Sequence, residues 1–65
     1  MDRDKIAKKL ISLRGGKRRE EVANAVGISV SALSMYEIGD RVPRDEIKIA
    51  LAKYYGVSVE EIFFG

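Results

Sequence analysis

The stretch REEVANAVGISVSALSMYE, residues 19–37, leaves the chain little choice of architecture. Apolar residues recur at helical spacing on both sides of one glycine: Val22, Ala23 and Val26 before it, Ala32, Leu33 and Tyr36 after it. Gly27 can take the left-handed conformation that closes one helix and redirects the chain, and Ser29 carries the oxygen that caps the next. Ala23 is small enough to let the two segments approach closely, and Ile28 and Leu33 can plug the wedge between them. The spacing predicts helices over 19–26 and 30–37 joined by a tight turn.

The flanking segments obey the same period. Ile6, Leu10 and Leu13 fall on one face of a first helix over 4–13, with Asp2 and Asp4 as candidate caps and Gly15-Gly16 as its stop. The loop GDRVPR carries Pro43 to a fourth helix over 45–55. Ser58-Val59-Glu60-Glu61 has the form of a capping box that opens a short fifth turn holding Ile62, Phe63 and Phe64. VSVEEIF alternates like a strand, but the capping box argues for helix. The expected fold is therefore all-α, one compact domain over 1–65, with Ile6, Leu10, Leu13, Val22, Ala23, Val26, Leu33, Ile49, Ala52 and Ile62 dominating the core.

Composition narrows the function. The chain has 65 residues and neither Cys nor His. Disulfides, the usual zinc ligands and a Ser/His/Asp or Cys/His nucleophile are all out of reach, so no metal, cofactor or catalytic residue is expected. No apolar run approaches the ~20 residues that span a bilayer, and no signal-peptide pattern opens the chain, so the cytoplasm is the expected compartment and no membrane partner is expected. Charge is uneven. Residues 1–20 hold eight Lys/Arg against three Asp/Glu, and residues 21–65 hold four against seven. The basic cluster RGGKRR sits just before the second helix, where it suits phosphate or an acidic partner.

Two short helices joined by a glycine-containing turn form a helix-turn-helix, whose second helix enters a major groove with its N-terminal half leading. The same spacing also suits a plain helical hairpin. Further residues carry a resemblance. EEVANAVGIS, SALSMYEIGDRVP and IALAKYYGVSVEEIF follow one another in register, and from Ile6 to Phe64 the chain resembles the lambda-repressor/Cro-type helix-turn-helix family. The resemblance implies five short helices and sequence-specific binding of a double-stranded, palindromic operator by a homodimer, in the service of transcriptional repression. The chain departs from the family pattern at its second helix, with Arg18 and Arg19 where Ser/Thr and Gln are usual, and Lys17 at an apolar position. On and after the third helix it has Val30, Met35, Ile38 and Asp40 where longer donors are frequent.

Carried onto these positions, the resemblance implies roles. Arg19 is the first candidate for a DNA phosphate, because it opens a helix whose free N–H groups already favour an anion. Arg18, Lys17 and Arg14 can add contacts from the same side. Arg41 and Arg44 flank the loop that approaches the backbone, and Arg44 serves equally well as a helix-start charge beside Asp45 and Glu46. Val30, Ser31, Ser34 and Met35 are the candidates for reading bases: serine hydroxyls bond base edges, and Val and Met touch thymine methyls. Gly27, Ser29 and Glu37 support the reading helix, with Arg14 or Arg41 as the partner of Glu37. Val57, Val59, Phe63 and Phe64 are candidates for the dimer interface, since two adjacent aromatics are hard to bury within one small subunit. Control would come through protein level, a protein partner or antirepressor, or competition at the operator. The competing reading is a protein-interaction adaptor or antitoxin on the same fold.

Overall fold

The computed structural model describes residues 2–65. Five helices run in chain order: α1 (Arg3–Arg14), α2 (Arg19–Val26), α3 (Val30–Glu37), α4 (Asp45–Tyr55) and α5 (Val59–Phe63). No strand occurs among the described residues, and VSVEEIF is the start of α5. Among the described residues no helix is long and apolar enough to cross a membrane.

Short polar side chains start three of the helices. The Asp2 carboxylate accepts from the N–H groups of Asp4 and Lys5 at 3.1 and 3.3 Å. Ser29 Oγ accepts from Ala32 N–H at 3.0 Å, and Ser58 Oγ from Glu61 N–H at 3.0 Å. Only this half of the expected capping box forms, because the Glu61 carboxylate reaches instead across to Lys9 of α1, 3.7 Å away. Arg18 and Arg44 occupy the cap positions of α2 and α4 without a side-chain bond to those helices.

Gly27 ends α2 in the left-handed region, at φ 84° and ψ 33°, and donates to Ala23 O at 2.8 Å. A Cβ built there meets nothing within 4 Å, so its cost is backbone strain alone. Gly27→Ala should lower stability by about 1 kcal/mol in urea unfolding. Gly39 also has positive φ, at 81°, but a Cβ there would lie 3.1 Å from the Asp4 carboxylate and 3.5 Å from Arg3 O. Gly39→Ala should therefore cost more than Gly27→Ala, because it adds crowding against α1 to the same backbone strain.

One buried cluster draws on all five helices: Ile6 and Leu10, Val22 and Ala23, Leu33 and Tyr36, Leu51 and Ala52, Ile62 and Phe63. α1 packs on α3 and α5, α2 on α3 and α4, and α4 on α5. Leu13 and Val26, expected at the centre, are half-buried against it. Ile49, also expected in the core, is 58% exposed. The inward stripe of α4 is instead Lys48, Leu51 and Ala52, with Ile47 and Tyr55 at its margins. A lysine belongs to that stripe because its stem is apolar. Lys48 lies along the core with Nζ 3.5 Å from Asp45 Oδ1 and 5.8 and 5.4 Å from the ring centres of Phe63 and Phe64.

Candidate nucleic-acid interface

The turn at Gly27 sets α3 across α2 with one face in and one face out. Leu33, Tyr36 and Glu37 are buried. Val30, Ser31 and Ser34 follow the opposite side at i, i+1 and i+4, with Val30 39% exposed, Ser31 exposed and Ser34 half-buried. Met35 is half-buried, and Ile38, just past the helix, is exposed. The four side chains singled out for reading bases thus begin at the N-terminal, leading end of α3, and Met35 faces partly inward.

Glu37 is the pin under this helix. Its side chain is fully buried, and its two carboxylate oxygens each accept from one arginine: Oε2 from Arg14 Nε and Oε1 from Arg19 Nε, both at 2.8 Å. Of the two partners foreseen for Glu37, Arg14 is one and Arg41 is not; Arg19 takes the second place. The ends of α1 and α3 and the start of α2 are therefore held by a single carboxylate. Arg14 also donates through NH1 to Lys17 O at 2.9 Å, which braces the glycine turn between α1 and α2. The hydrogen bond to Glu37 raises the already high pKa of the Arg14 guanidinium, against the opposing effect of burial. That charge persists at every working pH.

Arg14, Arg18, Arg19, Glu20 and Val30 line one open cleft of about 530 Å³. Three candidate phosphate contacts and the first candidate base contact thus share a wall. Within it the arginines differ. Arg14 is turned inward, with 17% of its side chain exposed, whereas Arg19 keeps 40% exposed. Among the described residues neither terminal nitrogen of Arg19 has a hydrogen-bond partner. Arg18, at the cap position, leaves the first N–H groups of α2 without a side-chain acceptor, so the positive end of the helix adds to the basic wall. Glu20, an acid in the first turn of α2, opposes it, and no motif in the sequence marks it as part of this site.

The remaining candidates lie around this cleft. Lys17 is exposed and sets its ammonium 4.9 Å from the Tyr54 ring centre. Arg41 is exposed, and its N–H closes the end of α3 on Met35 O at 3.3 Å. Arg44 starts α4 and lies 3.9 Å from Glu46, both side chains being about four-fifths exposed. Of the four residues singled out for self-association, Phe63 is 3% exposed in the subunit's own core, Val57 and Val59 are half-buried, and Phe64 is 61% exposed. Phe63 is thereby withdrawn from the surface: one subunit buries one of the adjacent rings, and the terminal turn leaves the other outside.

Behind the pin, the Tyr55 hydroxyl is buried and has no hydrogen-bond partner among the described residues. Burial, and next the negative charge of Glu37, push its pKa up to about 12, with Arg14 pulling the other way. The unfolded chain ionises this phenol near pH 10, so between about pH 10 and 12 the unfolded state binds fewer protons and stability falls. About 2 kcal/mol should be lost across that window, and Tyr55→Phe should abolish this part of the loss while leaving neutral-pH stability equal or higher. Urea titrations at pH 8, 10 and 11.5 check both.

Comparison with known proteins agrees with this geometry. A helix-turn-helix family model matches residues 6–62. The chain is 41% identical over 44 residues to the cryptic phage CTXphi transcriptional repressor RstR of Vibrio cholerae, a stretch covering 68% of this chain and 40% of that repressor. The matched stretch is thus well under two thirds of its relative's length. No solved structure matches significantly. With a glycine-closed turn between α2 and α3, an outward-facing third helix, and a family match that runs from within α1 into α5, this chain belongs to the helix-turn-helix family.

Proposed function

We propose that the chain binds double-stranded DNA sequence-specifically as a small transcriptional regulator, a repressor, with α3 in the major groove and two copies on a palindromic operator. One observation carries the reading: Val30, at the leading end of the exposed face of α3, shares a cleft with Arg14, Arg18 and Arg19. A duplex seated there meets cations on its backbone and the short side chains of Val30, Ser31 and Ser34 on its base edges. Arg19 and Arg18 hold phosphates, Lys17 extends that contact, and Arg41 and Arg44 approach the backbone from the loop. Repression is what the printed name of the Vibrio phage relative adds.

Dimerisation follows from size and affinity. One short helix reads one half-site, whereas a symmetric pair reads two about 34 Å apart. The Cα body measures 25 × 22 × 22 Å, so two copies with their side chains fit side by side on successive turns. Phe64, with the edges of Val57 and Val59, is the apolar surface for that contact. Sedimentation equilibrium should find a dimer on an operator duplex; monomers alone, free and bound, would remove this part of the reading.

The DNA test is a titration of wild type, Arg19→Ala, Ser31→Ala and Met35→Ala against a randomised duplex library at two salt concentrations. Arg19→Ala should weaken all sequences by a similar factor and lower the salt slope by about one per protomer. Ser31→Ala should shift base preference, by about 1–3 kcal/mol at the contacted pair. Met35→Ala should do the same more weakly, because part of its side chain faces inward. If none of the variants alters binding, the adaptor or antitoxin reading replaces this one.

A further inference from the structure

An arginine that meets a phosphate from a freely rotating side chain loses several rotamers on binding, and the loss subtracts from the contact. Arg19 does not start from that state. Its Nε is already bonded to Glu37 Oε1 at 2.8 Å, and the Glu37 side chain is fully buried. The opposite oxygen of Glu37 is fixed by Arg14, itself braced on Lys17 O. The planar guanidinium is thus bonded through Nε, while among the described residues both terminal nitrogens are unpartnered, and Arg19 lines the open cleft with Arg18 and Val30. Those nitrogens form the fork that grips two oxygens of one phosphate. The same carboxylate also ends α3. Whatever fixes Arg19 therefore fixes it relative to the helix that reads the bases.

We infer that Glu37 is a positioning residue for DNA recognition: it pre-orients Arg19 as a rigid two-pronged clamp on one backbone phosphate per half-site, and so sets the register of α3 along the groove. This rests on the DNA-binding reading above. It goes further by assigning the phosphate contact to an arginine anchored on a buried carboxylate rather than to a free surface charge. Lysine at position 19 would keep the charge, but it has a single nitrogen and cannot bond Glu37 through one donor while presenting a planar fork.

The test uses the full chain, a duplex selected by the wild type from a random library, and copies of that duplex in which single phosphates are replaced by uncharged methylphosphonates. For the wild type, neutralising one phosphate in each half-site should weaken binding about tenfold. Arg19→Ala should erase that penalty and lower the salt slope. Arg19→Lys should keep most of the salt slope yet cut the single-phosphate penalty to about threefold or less. Glu37→Gln, assayed at a temperature where circular dichroism shows it folded, should do the same with Arg19 intact. The Arg19 Nε–H resonance supplies a readout without DNA: it should be rigid on the nanosecond scale in the free wild type and mobile in Glu37→Gln. Arg19→Lys retaining the full tenfold penalty overturns the inference, because charge alone then suffices and no folding defect confuses the result. A mobile Arg19 Nε–H in the wild type also overturns it. Failure of the wild type to bind any duplex overturns the DNA-binding reading itself, and this inference with it.

Discussion

Glu37→Ala should destabilise the protein by about 3 kcal/mol in urea unfolding at neutral pH. Removing one partner from a buried ion pair costs about 3–5 kcal/mol, chiefly because a charge is stranded away from water. Two cations lose their partner here, and they are stranded unequally. Arg19, 40% exposed, can turn its guanidinium to solvent once Glu37 is gone. Arg14, 17% exposed and tied to Lys17 O, cannot do so without disturbing the turn after α1. One stranded cation plus the space left by the side chain puts the cost at the lower end of the range. For 65 residues, about 0.05–0.15 kcal/mol each gives a total stability of roughly 3–10 kcal/mol, so this change alone approaches the whole of it at the lower end. Arg14→Ala should cost less than Glu37→Ala, because the carboxylate keeps Arg19, and Arg19→Ala least of the three. The double change Arg14→Met with Glu37→Leu should be more stable than Glu37→Leu alone, since no charge is left behind in the interior. A loss below about 1 kcal/mol in Glu37→Ala would mean that water reaches the site and that the pin is not what holds α3.

How far these features can be read from the sequence depends on whether their causes are local. The ends of α2, α3 and α4 were foreseen to the residue because Gly27, Ser29 and the Arg44-Asp45-Glu46 start act within one turn of where they stand. α1 and α5 came close for the same reason, through Asp2 and Ser58. The rotation of α4 was not foreseen. Ile47 and Ile49 are both apolar and both sit at helical spacing from Leu51 or Ala52, and only the packing of α2 and α5 on α4 decides which one turns inward. Lys48 counts as polar in a hydropathy pattern, to which the apolar stem that it buries is invisible. Arg19 stands out in the sequence as a candidate for a phosphate, but nothing local announces its bond to Glu37. The two residues lie 18 apart in the chain and come together only when α3 has crossed α2. Phe63 and Phe64 looked equivalent in sequence. They differ because α5 has its last helical residue at Phe63, and the chain leaves the helix with the second ring outside.

Leu33→Ala should cost about 3–4 kcal/mol and, on the proposed function, should impair DNA binding without changing which sequence is preferred. Leu33 is fully buried on α3, the helix that packs against both α1 and α2. Leucine-to-alanine changes at such sites cost about 2–5 kcal/mol, with the larger values where the surroundings cannot close over the cavity. Here closure would require α3 to sink toward α1, and the Glu37 bridge to Arg14 and Arg19 resists that movement from the other end of the same helix. Leu33→Met, which nearly conserves volume, should stay within about 1.5 kcal/mol of wild type. The consequence for binding is thermodynamic. A variant that is substantially unfolded binds with an apparent affinity reduced by the folded fraction, and DNA, which binds only the folded form, pulls it back by mass action. Cooling Leu33→Ala toward its stability maximum should therefore bring its affinity back toward that of the wild type, with base preference unaltered throughout. Ser31→Ala should behave oppositely, with full stability, no recovery on cooling, and an altered preference. A Leu33→Ala protein that is folded by circular dichroism at low temperature yet reads a different base would show that the cavity had let α3 rotate. Leu33 would then set the face that α3 presents to the groove as well as the stability of the core.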